Sequence, residues 1–189
     1  ILVSTRQPTA TPEYNLQLRA AQGSDYMLAG SASGPISEDK VLGRFAFRLE
    51  DREGQLRNTY LDNALVDYKK SSAFRGKLLI TPSDKLTFDL RAQYIDQDGG
   101  SGYFMPGSNF FLPLPPPNAP IVVDVPEYEI QSNKLGKSFV EASELAAKID
   151  YDMGWATLTS ITSFTDVDSG NDQDLDQTYV EAIDILVID

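Results

Sequence analysis

The chain has 189 residues, of which 16 are lysine or arginine and 28 are aspartate or glutamate, so its formal net charge is −12. A surface this acidic repels phosphate backbones, which argues against nucleic acid as a partner. The chain has no cysteine and no histidine, so these residues cannot form disulfides, thiolate centres, Cys/His metal sites or a Ser-His-Asp triad. We therefore expect no catalytic site, no cofactor and no metal site.

Apolar and polar residues alternate along much of the chain, which predicts β-strands because successive side chains of a strand point to opposite faces. The clearest segments are, in chain order, 13–22, 41–50, 74–80 and 86–94. One face of these segments carries no charge. The other face holds Arg19, Arg44, Arg48, Glu50, Arg75, Lys77, Asp89 and Arg91. Weaker patterns at 26–33, 139–151 and 155–164 bring the prediction to about seven strands.

The lengths of the connections alternate as well. Those at 34–40, 81–85 and 152–154 are short and rich in turn-forming residues, whereas those at 51–72, 96–138 and after 166 are long; 22–25 is a short exception on the long side. Short turns at one end and long loops at the other are typical of outer-membrane barrels. Strands of about ten residues also match the roughly 9–11 that cross a bilayer at a tilt. The pattern predicts an all-β fold, an up-and-down antiparallel transmembrane β-barrel.

Several motifs resemble one family. ILVSTRQP at residues 1–8 is similar to the last plug strand of TonB-dependent outer-membrane receptors. Further segments that resemble this family follow in its order: SASGPIS at 31–37, RFAF at 44–47, DREG at 51–54, RNT at 57–59, FRGKLL at 74–79, PSD at 82–84, IDYD at 149–152 and WATLTSIT at 155–162. The resemblance covers nearly the whole chain and is weakest from 102 to 137.

The resemblance implies a 22-stranded barrel closed by a plug, of which this chain is an internal piece. Residues 1–12 would be the end of the plug and the linker to the barrel, and 13–189 the first part of the barrel. The implied function is uptake of a scarce solute across the outer membrane of a Gram-negative cell, with a ferric siderophore first and cobalamin or a carbohydrate next. Energy would come from the TonB complex through an N-terminal region missing here, and outer-membrane lipids would surround the barrel. A passive porin-type barrel and a soluble β-sandwich binding module remain as alternatives.

Three groups of residues are candidates for function, each with an ordinary alternative. Tyr103, Phe104, Phe110 and Phe111, beside the proline-rich stretch 106–126, would bind the ligand or simply pack their loop onto the barrel rim. Arg19, Arg44, Arg48, Arg75, Lys77 and Arg91 would form a lumen-facing cationic wall for an anionic solute, or pair with plug carboxylates and with charges on neighbouring strands. The acidic run 166–176 fails the EF-hand spacing, so it is an irregular cation site or a solvated loop.

Overall fold

The computed structural model describes residues 5–37, 40–102, 110–112, 121–123, 126–181 and 184–188. All regular secondary structure in these ranges is β-strand, as the alternation of apolar and polar residues predicts. None of the described residues belongs to a helix long and apolar enough to span a membrane. The all-β class is therefore confirmed.

A main sheet of eight antiparallel strands dominates the described residues. Its strands, in spatial order, are β1 (Glu13–Ala21), β2 (Asp25–Ser37), β3 (Val41–Arg52), β6 (Lys69–Ser83), β7 (Leu86–Gly99), β11 (Lys137–Asp152), β12 (Thr157–Asp174) and β13 (Asp184–Ile188). Two small sheets come from the long connections. One joins β10 (Glu129–Ile130), β4 (Arg57–Asn58) and β5 (Ala64–Leu65), and the other pairs β8 (Phe110–Leu112) with β9 (Ile121–Val123).

The main sheet has up-and-down connectivity, so its connections separate by length. The short connections after β2, β6 and β11 lie at one end, which we call the turn end. Neighbouring turns touch there, because the N–H groups of Thr81 and Asp152 each donate to the preceding turn, to the carbonyls of Lys40 and Lys85 at 2.8 Å. The long connections lie at the opposite, loop end, together with the short link between β1 and β2, as predicted from the sequence.

The sequence prediction fails at the end of the chain. It placed the acidic residues after Phe164 in a loop, whereas β12 continues to Asp174, and it missed β13. The reason is tertiary: β11 pairs with β12 without interruption, from Asp152 opposite Thr157 to Lys137 opposite Asp172. This ladder satisfies the backbone of β12 although aspartate is a poor strand former.

The strand registers align the charge-free faces of the four clearest segments on one face of the main sheet. In one cross-strand row Phe47, Phe74 and Tyr94 are neighbours, and in another Ile80, Phe88 and Ile149. We call this the apolar face. The intervening residues, including all eight charges predicted to oppose it, lie on the other side, which we call the charged face.

Burial is reversed relative to the usual arrangement of a soluble sheet. On the apolar face, Leu16 is 67% exposed and Leu145 is 60% exposed. On the charged face, Glu50 and Lys77 are each only 8% exposed, and Met27 is 4% exposed. The charged face is thus the more covered of the two.

The buried hydrophobic cluster of the described residues lies at the loop end, outside the main sheet. It consists of Leu56, Val66 and Ile130. Three connections meet around it, at 53–68, 126–136 and 175–181, and together form what we call the loop layer. Buried polar contacts join them: Asn58 Nδ2 donates to the Ser132 carbonyl at 2.8 Å, and the Asn133 N–H donates to the Thr178 carbonyl at 2.9 Å.

Candidate functional site on the charged face

The six cations predicted to form a wall lie on one face of the main sheet, on four of its first five strands in spatial order. Alternation within each strand and the antiparallel registers put Arg19 on β1, Arg44 and Arg48 on β3, Arg75 and Lys77 on β6, and Arg91 on β7. The structure therefore brings together residues that are up to 72 positions apart in sequence.

Three of these cations are direct cross-strand neighbours. Arg44 of β3 is opposite Lys77 of β6, and Lys77 is opposite Arg91 of β7. Like charges in such a row repel each other, so the row needs counter-charges. Their carboxylate partners are, in the same order, Glu13 at 3.8 Å, Asp89 at 3.0 Å and Glu144. The row is neutralised within the sheet.

A second group of charges surrounds Glu50. Its carboxylate pairs with Arg19 at 2.9 Å, with Arg48 at 3.2 Å and with Lys69 at 3.3 Å. Arg19 has an additional partner in Asp25 at 2.8 Å. One buried carboxylate thus holds three cations from three strands, which leaves the group with an excess of positive charge.

Arg75 differs from the other five cations. Its Nε donates to the neutral amide oxygen Oε1 of Gln93 at 2.7 Å, and its Nη2 donates to the same atom. No carboxylate in the described part of the chain lies within ion-pair distance of its guanidinium group. Four of the six wall cations, Arg19, Arg44, Lys77 and Arg91, thus pair with a carboxylate on another strand, whereas Arg48 pairs with Glu50 on its own strand.

The N-terminal residues lie against the charged face. The Gln7 Nε2 donates to Asp89 Oδ2 at 3.2 Å, and the Thr9 N–H donates to Ser33 Oγ at 2.9 Å. Pro8, between them, is buried. Residues 5–12 therefore cover part of the row of paired cations.

Near the loop end, the apolar face carries charged residues instead of apolar ones. Beyond the apolar positions come the acidic residues Asp51, Asp96, Asp98, Glu141, Asp166 and Asp168, which we call the acidic collar. The Tyr94 hydroxyl donates to Glu141 Oε1 at 3.0 Å and so joins an aromatic residue of the apolar face to the collar. Toward the turn end, Trp155 is 85% exposed beside Tyr151.

The predicted ligand-binding aromatics are not brought into a described site. Tyr103 and Phe104 lie outside the described residues. Phe110 and Phe111 belong to β8, whose backbone pairs with β9. The role of these four residues stays a prediction.

The acidic run does not assemble a metal site within the described residues, where no group of three or more acidic side chains is placed to hold an ion. Asp174, the last residue of β12, is instead buried against the loop layer. Its Oδ2 accepts from Ser132 Oγ at 2.7 Å and its Oδ1 accepts from the Gln177 N–H at 2.9 Å. Loss of solvation raises the pKa of Asp174, and these two hydrogen bonds oppose the increase.

Sequence reasoning missed the loop layer as an ordered unit. Asn58, Ser132, Gln177 and Thr178 are fully buried there, although such polar residues usually indicate exposed loops. Their partners come from distant parts of the chain, so no local pattern could have identified them.

Comparisons of the chain with protein-family models, with curated proteins and with solved structures found no match. The residues and their geometry are therefore the basis for assigning a function.

Proposed function

We propose that this chain forms part of the wall of a transmembrane β-barrel, with its apolar face toward lipid and its charged face toward the interior. The reversed burial of the main sheet carries this proposal. A soluble antiparallel sheet packs its apolar face on a core and leaves its polar face in water. Here the apolar face is exposed across neighbouring strands, while the charged face is the more covered of the two and most of its charges are paired.

The dimensions of the apolar face agree with a bilayer. On β7 the uncharged positions of the apolar face, Leu86, Phe88, Leu90, Ala92 and Tyr94, extend from Leu86 to Tyr94. At about 3.3 Å per residue this stretch is about 27 Å long, so a strand inclined by about 40° carries it through about 20 Å of thickness. The lipid-facing band of outer-membrane barrels is about 25 Å tall. The acidic collar, at the loop-end limit of the band, would then lie at the lipid–water boundary.

The connections support an orientation and a location. Outer-membrane barrels have short turns on the periplasmic side and longer loops outside. The turn end would accordingly face the periplasm and the loop layer the cell exterior. Trp155 near the turns and Tyr94 beside the collar have the positions expected of interfacial aromatic residues.

We further propose that the barrel is a TonB-energised receptor for uptake of a scarce solute, with a ferric siderophore as the leading candidate and cobalamin or a carbohydrate after it. The contacts of residues 5–12 with the charged face support a linker that enters the barrel from a plug. The TonB complex would act through that plug, outer-membrane lipids would surround the wall, and no enzymatic role is proposed.

Uptake by whole cells tests this function. The gene for the full-length protein that contains this chain is deleted from its host. Growth is then measured in three media, in which iron, cobalamin or a carbohydrate is the limiting nutrient. The proposal predicts a growth defect on one nutrient, restored by the gene but not in a strain that lacks the TonB protein. Restored uptake without TonB would instead support a passive porin-type barrel. A full-length product found in the soluble fraction would support the β-sandwich alternative.

A further inference from the structure

Arg48 and Arg75 are the least neutralised of the six wall cations. The guanidinium group of Arg75 has a neutral partner, Gln93. Arg48 shares its one carboxylate, Glu50, with Arg19 and Lys69, and half of its side chain is exposed. Both arginines thus retain positive charge that the described residues do not balance.

The two arginines are also close neighbours. Arg48 on β3 is opposite Ala73 on β6, and Ala46 on β3 is opposite Arg75 on β6. The two arginines form one diagonal of this four-residue square, and the two alanines form the other. Diagonal positions are about 7–8 Å apart at the backbone, which arginine side chains can span. The alanines at the other two corners, Ala46 and Ala73, have short side chains, so they do not fill the space above the sheet that an oxyanion between the two arginines would need.

We propose that Arg48 and Arg75 form a two-arginine fork that binds an oxyanion, a carboxylate or phosphate group, of a small anionic ligand. The fork deepens the proposed function and rests on it for one point, that the charged face lines the barrel interior. It would make the transported or gating solute an anion, or a metal chelate with free oxyanion groups.

The chemistry of arginine favours this occupant. A guanidinium group presents planar pairs of N–H donors that match carboxylate and phosphate oxygens. Gln93 uses the Nε side of Arg75 and leaves its other N–H groups free to donate. Two neighbouring cations repel each other on a sheet, and an oxyanion between them removes that repulsion.

Anion-dependent stability tests the fork without any need for transport. The full-length protein is purified in a neutral detergent at pH 7, and its unfolding midpoint is measured in inorganic phosphate, in acetate and in chloride at equal ionic strength. Phosphate, acetate or both should raise the midpoint above that in chloride, because a ligand bound to the folded state stabilises it. The anion that raises the midpoint identifies the ligand group that the fork binds, a phosphate or a carboxylate. Arg48→Gln and Arg75→Gln should each weaken binding of that anion at least tenfold.

Lys70→Gln is the matched control. It removes the same charge from the same strand, five positions from Arg75, where Lys70 is exposed on the opposite face and lies 3.9 Å from Asp51. Anion binding should stay within twofold of the wild-type value. An equal loss in this variant would reduce the effect to net charge and overturn the fork.

Two further results would overturn the proposal. One is a wild-type midpoint that is the same in phosphate, acetate and chloride. The other combines two observations: Arg75→Gln unfolds at a lower midpoint than the wild type in chloride, and the wild type shows no response to added anions. That result would mean that a carboxylate of the protein already occupies the fork. Heat-modifiable migration of the same samples on a gel reports on the barrel separately, so failure of the fork is distinguishable from failure of the proposed function.

Discussion

The carboxylate of Glu50 forms ion pairs with three cations, Arg19, Arg48 and Lys69. We predict that Glu50→Gln lowers the free energy of unfolding by about 1–2 kcal/mol, because three cations lose their common acceptor while remaining partly exposed to water. The measurement is a urea titration of the full-length protein in lipid vesicles. Asp51→Asn, one residue further on, removes an exposed charge from the other face and should leave the midpoint near that of the wild type. Equal effects would mean that the Glu50 group contributes no more than surface charge.

Asp174 gives the loop layer a dependence on pH. Its raised pKa means that the folded state binds more protons than the unfolded state between the ordinary carboxyl value and the raised one. Its contribution to stability is therefore complete below the ordinary value of about 4 and is lost as pH rises through the raised value.

Asp174→Asn removes this titration, while its amide can keep the contacts with Ser132 and with the N–H of Gln177. We predict that the variant gains stability relative to the wild type as pH rises from about 4 to 7. The measurement is the hydrogen-exchange protection of loop-layer amides, such as the Asn133 N–H that donates to the Thr178 carbonyl. A difference between variant and wild type that stays constant with pH would contradict the assignment.

The strands themselves are the part of the structure that the sequence predicted best. Period-two alternation identified β1, β3, β6 and β7 and sorted their side chains onto the correct faces, because one face is uniformly uncharged. It failed where that contrast disappears. On β12, Ile161 and Val167 lie on the charged face and Asp166 and Asp168 on the apolar face, so no alternation marked the strand beyond Phe164.

The candidate site could be predicted only in part, for a related reason. Alternation predicts that Arg44 and Lys77 share a face, but not that they are direct neighbours, because the register depends on both turns and strands. Nor does any local pattern reveal that Glu50 pairs with three cations or that Arg75 donates to Gln93. These features arise from pairings between strands.

Neighbouring positions on β7 provide a test at the level of the element. Phe88 lies on the apolar face between Ile80 and Ile149, and Thr87 lies on the charged face opposite Asp150. We predict that Phe88→Arg makes folding into lipid vesicles less favourable by about 2–4 kcal/mol, the depth-dependent cost of a cation in lipid. Thr87→Arg should cost less, because its charge would lie beside Asp150. If the two variants fold equally well, the apolar face does not contact lipid.

Asp89, although adjacent, is unsuitable as the control. It pairs with Lys77 at 3.0 Å and accepts a hydrogen bond from Gln7. Its substitution would leave a buried lysine without its counter-ion, which is costly wherever the sheet resides.

For the whole molecule, the central claim is that the exposed apolar face contacts lipid. The absence of cysteine from these residues allows single cysteines to be placed at each position from Leu86 to Tyr94 with little background labelling from this part of the protein. Each cysteine is labelled with a fluorophore in the full-length protein and reconstituted into vesicles that contain nitroxide-labelled lipid. Our account predicts strong quenching at the even positions and weak quenching at the odd ones, with a period of two along the strand. Quenching that is uniform along β7, or strongest at the odd positions, would contradict it.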